Sequence, residues 1–241
     1  MSMNLYLPLL LQGIRGISAT VSGMIITPFS LLMAFIGVPT GFIIARTKRY
    51  KPLFVLGYAI VSAVMIGMVF FNQGTPIYLA WLATTLAGLG LGVIPTINTL
   101  LIQAAVPRKL MGSAMAVLFF SISIGMSIAP AVQGSAMNIR YNSALKASLP
   151  RVLANAAEYN ALTSFINQDV LIKKEAANAL RDAILKTSNG TPELFEQTVD
   201  AIRSSSEAGL RTTFRIAALT MFLAFILILT IPVIPMDRSS E

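Results

Sequence analysis

The stretch "ARTKRYKP", residues 45–52, decides how the rest of the chain is read. Four cations, Arg46, Lys48, Arg49 and Lys51, stand in six positions with no carboxylate among them. Uncharged residues run from 16 to 45 on one side and from 52 to 107 on the other. A helix needs roughly 20 apolar residues to cross about 30 Å of hydrocarbon, so each flank is long enough to span a bilayer. Loops rich in Lys and Arg stay on the cytoplasmic side of a membrane. The knot therefore reads as a short cytoplasmic turn between two membrane-spanning helices.

Composition points the same way. Of 241 residues, 55% are hydrophobic and only 12% are charged, about half the charged share of a soluble domain. No Asp or Glu precedes Glu158, whereas ten Lys or Arg do. A soluble surface needs charges of both signs, and this part of the chain offers only cations. The net charge of +8 does not indicate nucleic acid, because the cations sit at the ends of apolar runs rather than on one polar face. With no Cys and no His, thiol redox chemistry, Cys/His zinc sites, disulfides and imidazole acid–base steps are all excluded. No secretory signal peptide is expected, since "MSMNLYLPLLLQG" lacks a basic start and a small-residue cleavage site.

The charge-free runs predict spans near 22–45, 53–71, 77–104, 112–136 and 213–235, and residues 236–241 form a tail. Residues 3–14 are apolar but too short to cross alone, and read as the end of a sixth span that begins upstream. Pro8, Pro28, Pro39, Pro95, Pro130 and Pro232 are expected to mark kinks, which neighbouring helices can tolerate in a membrane. Small residues recur four apart at Ala59, Ala63 and Gly67, at Gly88 and Gly92, and at Gly112 and Ala116. That spacing fits either close helix packing in lipid or simply the usual Gly and Ala content of membrane helices. Arg108-Lys109 lies two spans beyond the knot and so on the same face. Both termini are then cytoplasmic, and 15–20, 72–76 and 137–212 are outside.

Residues 137–212 differ in kind. Between 140 and 211 there are nine Lys or Arg and eight Asp or Glu. Helices are expected over 152–166 and 174–187, and Thr191-Pro192-Glu193 reads as a cap, a first-turn proline and an acid at the positive end of a third helix. Phe195, Val199 and Ile202 give that helix an apolar stripe, expected to pack among the segment's own helices. Asn189-Gly190-Thr191 matches a glycosylation sequon but is better explained as turn and cap.

No motif for bond-making chemistry is present. "GLGLG", residues 88–92, lacks the phosphate-loop spacing and lies inside an uncharged run, so close packing explains it better. A serine nucleophile would have no imidazole base, and no carboxylate pair lies in the apolar part. No enzyme activity, cofactor or metal is expected. The spans carry neutral polar groups instead. Gln12, Ser22, Asn98, Gln103 and Ser121 are the candidate substrate-path residues, the alternative being that they bond one helix to another.

Two tracts resemble a known family. "YLPLLLQGIRGISATVSGMIITPFSLLMAFIGVPTGFIIARTKRYKPLFVLG" is similar to the start of the C-terminal half of a Major Facilitator Superfamily transporter, in the branch of fourteen-span drug:proton antiporters. Gly41, Arg46, Arg49 and Lys51 resemble that superfamily's Gly-x-Leu-Ala-Asp-Arg-x-Gly-Arg-Lys loop. The family's aspartate falls on Ala45 and its inner glycine on Lys48. In "GLGLGVIPTINTLLIQAAVPRKLMGSAMAVLFFSISIGMSIAPAVQG", Gly92, Pro95, Gln103, Val106, Pro107 and Gly112 stand at matching places. Gly125, Pro130 and Gly134 echo the antiporters' Gly/Pro helix motif, with Ala129 and Gln133 replacing two of its glycines. Gly88, Gly92, Pro95, Gly125 and Pro130 are accordingly the candidate kink and packing positions.

The resemblance implies an all-α integral membrane protein, a six-helix half-bundle built from two inverted three-helix repeats. It implies a secondary transporter in the inner membrane, partnered by lipid, a small-molecule substrate and an N-terminal half-bundle not found in this sequence. Export of hydrophobic or amphipathic compounds is expected, with any proton site in that other half. Two further readings stay open: a membrane-anchored interaction protein presenting 137–212, and a half-transporter acting as a homodimer.

Overall fold

The computed structural model describes residues 2–72, 74–149, 162, 165–186 and 191–232. Every regular element among them is helical. The first are α1 (Ser2–Pro8), a π-helical turn (Leu9–Ile14), α2 (Ala19–Phe35), α3 (Gly37–Thr47) and α4 (Lys51–Val69). There follow α5 (Ile77–Ala105), α6 (Met111–Ser148), α7 (Lys174–Leu185) and α8 (Pro192–Thr230), with 3-10 turns at Arg108–Leu110 and Gln168–Leu171. Five stretches are long and apolar enough to cross a membrane: Ala19–Thr47, α4, α5, Arg108–Ser148 and α8.

Helix ends and span ends are not the same. Helix α6 is 38 residues long and α8 is 39, nearly twice the roughly 20 needed to cross. The charge pattern ends a span at 136, yet residues 137–148 contain no Gly or Pro, and the backbone ladder continues through them. Similarly, the helix that starts at Pro192 runs unbroken to Thr230, so the expected loop helix and last span are one element. Returning charge marks where hydrocarbon stops, not where hydrogen bonding stops. Conversely, the run 22–45 divides at Ile36. Pro39 has no N–H to give the Phe35 carbonyl, and it sits instead in the first turn of α3, where proline is tolerated. Pro8 marks the change from α to π geometry, whereas Pro28, Pro95 and Pro130 lie within continuous helices. The expected helix 152–166 lies largely outside the described residues, as do Asn189, Gly190 and the tail 236–241.

The chain forms two compact units, Met24–Ala131 with Phe214–Glu241, and Ser2–Gly23 with Val132–Thr213. The first is a membrane bundle around α5. A Cβ added at Gly88 would stand 2.8 Å from the Phe29 carbonyl oxygen and 2.9 Å from its Cα. One added at Gly92 would fall inside the Ile36 side chain. On the other side of α5, a Cβ at Gly90 would stand 2.7 Å from the Gly57 carbonyl oxygen on α4. Lipid offers no hydrophobic drive between helices, so close van der Waals approach of this kind holds them together. Hydrogen bonds to carbonyls add to it: the Thr84 hydroxyl donates to Ile25 O at 2.7 Å, and that of Ser62 to Met221 O at 3.1 Å. By contrast, Gly67, Gly112 and Gly125 have open space where a Cβ would go.

The basic knot is anchored in this bundle. Tyr50 is buried in an apolar cluster with Ile44, Phe54, Ile94, Ile97 and Ile228. Its hydroxyl donates to Pro232 O at 3.2 Å. The Lys51 ammonium donates to Ile231 O at 2.7 Å and Leu229 O at 3.3 Å, at the end of α8. Those carbonyls have no intrahelical donor, and they form the negative end of the helix dipole. Lys51 therefore caps α8. The Arg46 guanidinium lies over the Phe42 ring, 5.5 Å from its centre.

Lys48 closes α3 in the left-handed conformation, at φ 56° and ψ 15°, its N–H bonded to Ile44 O at 2.8 Å. This is the position that aligns with the family loop's inner glycine. An L side chain there costs about 1 kcal/mol, because its Cβ crowds the following carbonyl. Lys48→Gly is accordingly expected to stabilise the bundle by about 1 kcal/mol, read as a higher melting temperature in detergent. A lower one would contradict the assigned backbone geometry.

The second unit has its own core, including Tyr141, Leu145, Val170, Leu180, Ile184 and Ile202, with Phe195 and Val199 packed against it. The stripe on α8 thus faces the segment's own helices. The Thr191 hydroxyl accepts the Leu194 N–H at 3.1 Å, the geometry of an N-cap. Asn167 caps the Gln168–Leu171 turn by accepting the Asp169 N–H at 3.0 Å.

Candidate substrate cavity

A cleft lined by neutral polar groups lies within the second unit. It begins with the first helix. After Pro8 the ladder widens, and the Arg15 N–H reaches back five residues to Leu10 O at 3.2 Å. Such π-turns recur at functional sites because they re-aim the side chains they carry. Gln12 lies in this turn, and its Nε2 donates to the Ser22 hydroxyl at 3.3 Å. Two of the sequence-derived path residues are thereby brought together. Ser22 is fully buried.

Around Gln12 lies an open cleft of about 440 Å³, within the volume range of pockets for drug-sized ligands. Leu5, Leu9, Met137 and Ile172 supply apolar walls. Tyr6, Gln12, Asn138 and Gln168 supply a phenol and three amides, and no lining residue is charged. Gly134 places α6 beside the first helix: a Cβ there would make an ordinary contact, 3.4 Å from the Tyr6 hydroxyl oxygen. On another side Gly13 packs near Leu171 and Ile172, where a Cβ would make ordinary contacts at 3.6 and 3.7 Å. The Gln168 Nε2 is buried without a hydrogen-bond partner among the described residues. A buried donor left unpaired costs about 1–3 kcal/mol. A ligand oxygen accepting from it would recover that cost.

The other sequence-derived candidates lie in the membrane bundle. Asn98 is half-buried on α5, and Gln103 is exposed near the end of that helix. Ser121 is exposed on α6, its hydroxyl donating to Val117 O at 2.8 Å. Pro95 is exposed and Pro130 half-buried. Tyr6, Asn138 and Gln168 were not singled out by sequence reasoning. For Asn138 a signal existed: Gly134, Met137 and Asn138 share one face at i, i+3 and i+4. For Gln168 there was none, since an amide in a polar segment reads as surface.

The chain matches the sequence profile of the Major Facilitator Superfamily over residues 1–130, more than half its length. It belongs to the Major Facilitator Superfamily. Its relatives in that superfamily include "MFS efflux transporter aclA" of Aspergillus oryzae, 28% identical over 228 residues, which cover 92% of this chain and 37% of the relative. "MFS-type transporter olcL" of Penicillium canescens is 33% identical over 144 residues, 58% of this chain and 24% of its own. "Multidrug resistance protein Stp" of Mycobacterium tuberculosis is 27% identical over 158 residues, 65% of this chain and 29% of its own. The chain thus spans well under half the length of these relatives. No solved structure matches it. Membership of this superfamily agrees with the five stretches long and apolar enough to cross a membrane.

Proposed function

We propose that the chain is the C-terminal half-bundle of an exporter of uncharged amphipathic compounds, working by alternating access against a second half-bundle. The observation that carries this reading is the cavity at Gln12, with apolar walls, four neutral polar groups and no charge. An ionic substrate would need a counter-charge in such a site, and a purely apolar one would leave its amides unpaired. The names of the relatives, an efflux transporter and a multidrug resistance protein, agree with export. Coupling to protons requires a group that changes charge, and residues 1–157 hold no Asp, Glu or His. The proton site is therefore assigned to the other half-bundle. The knot at 46–51 and Arg108-Lys109 face the cytoplasm, which places both chain ends inside.

Binding of Nile red, an uncharged amphipathic dye, to the chain in nanodiscs tests the cavity. Gln12→Leu/Gln168→Leu removes two hydrogen-bonding amides at nearly constant volume. With about 1 kcal/mol for each bond, affinity is expected to fall about tenfold or more. A change below twofold would place the substrate elsewhere.

A further inference from the structure

The basic knot carries a second site. Lys48, Arg49, Tyr50, Lys51, Pro52 and Val55 line a cleft of about 400 Å³ in the membrane bundle. Its cations differ in their duties. Lys51 is bonded to the α8 carbonyls and Tyr50 is buried with its hydroxyl on Pro232 O, so these two hold the cleft in shape. Lys48 and Arg49 are exposed, and neither is in an ion pair among the described residues. Among the described residues no carboxylate pairs with their charge.

The cleft continues onto an apolar track. Pro52, Leu56, Ala63 and Ile66 are exposed on α4 at helical spacing, as is Phe70 just past its end, and Val55 lines the cleft beside them. A small soluble anion would use the cations and leave the track idle. A phospholipid uses both, because its phosphate meets Lys48 and Arg49 where its acyl chain runs along α4. Basic pockets at the ends of membrane helices attract anionic head groups, each Lys or Arg adding to the attraction.

We propose that this cleft binds an anionic phospholipid, with the head-group phosphate held by Lys48 and Arg49 and an acyl chain laid along Pro52, Val55 and Leu56. The site is independent of the substrate cavity and does not rest on the transport reading.

Native mass spectrometry of the whole chain, released from nanodiscs of equal phosphatidylglycerol and phosphatidylcholine, tests it. Phosphatidylglycerol is expected to be retained about tenfold more than phosphatidylcholine. Lys48→Gln/Arg49→Gln is expected to abolish that preference while melting as wild type does, since both side chains are exposed and Lys51 is untouched. Millimolar inorganic phosphate is expected not to displace the lipid. Equal retention of the two lipids, an unchanged preference in the double variant, or displacement by phosphate would each overturn the proposal, the last by showing a site for free anions.

Discussion

Gly88→Val is expected to lower the stability of the membrane bundle by about 3 kcal/mol, the upper part of the range for overpacking a close contact. The reason lies in what surrounds Gly88. Its missing Cβ would stand under 3 Å from the carbonyl oxygen and Cα of Phe29. Neither is the free end of a flexible side chain, so α2 and α5 must separate to admit it. Separation also lengthens the bond from the Thr84 hydroxyl to Ile25 O, one turn away along the same contact. The same substitution type has the opposite sign where space is open. Gly125→Ala, in the middle of α6, meets nothing within 4 Å and is expected to stabilise that helix by about 0.5–1 kcal/mol, the Gly-to-Ala difference in a helix interior, and Gly67→Ala, in the last turn of α4 and equally open, by less. Thermal unfolding in detergent, followed by the single tryptophan at Trp81 two turns from Gly88, reads all three. A Gly88→Val protein melting with the wild type would mean that α2 and α5 do not touch there.

Lys51→Glu is the second large effect. The wild-type ammonium caps the end of α8 through Leu229 and Ile231. A hydrogen bond from a charged donor contributes about 1.5–3 kcal/mol, and a cation at a helix C-terminus adds about 0.3–1 kcal/mol. Reversal removes both and sets a carboxylate against carbonyl oxygens. The expected loss is about 3 kcal/mol. Lys51→Arg, which keeps the charge and donors, should recover most of it. If Lys51→Glu and Lys51→Arg melt alike, the cap at Lys51 contributes nothing to holding α8.

These two experiments probe features that differ in how far they could be read in advance. The charge-free runs around "ARTKRYKP" led directly to helical spans, and the Thr191-Pro192-Glu193 cap was visible as a local pattern, later found as a hydroxyl on the Leu194 N–H. The four-residue spacing of Gly88 and Gly92 allowed close packing but did not require it. Gly112 and Ala116 show the same spacing, yet Gly112 faces open space. A spacing describes one helix face and is silent about whether another helix arrives there. Gln12 and Ser22 were selected for their cost in lipid, and that criterion works one residue at a time. Their hydrogen bond to each other depends on the π-turn after Pro8, which no local signal announced.

From the order of residues alone came the apolar helices long enough to cross a membrane and the basic turns between them, because transfer into hydrocarbon is a near-additive property of consecutive side chains. Three-dimensional packing was needed for the cavity, where positions near 6, 12, 138 and 168 meet, and for the choice of Lys51 over its neighbours as the cap of α8. Both are matters of distance between residues far apart along the chain, and periodicity within one helix carries no information about that distance.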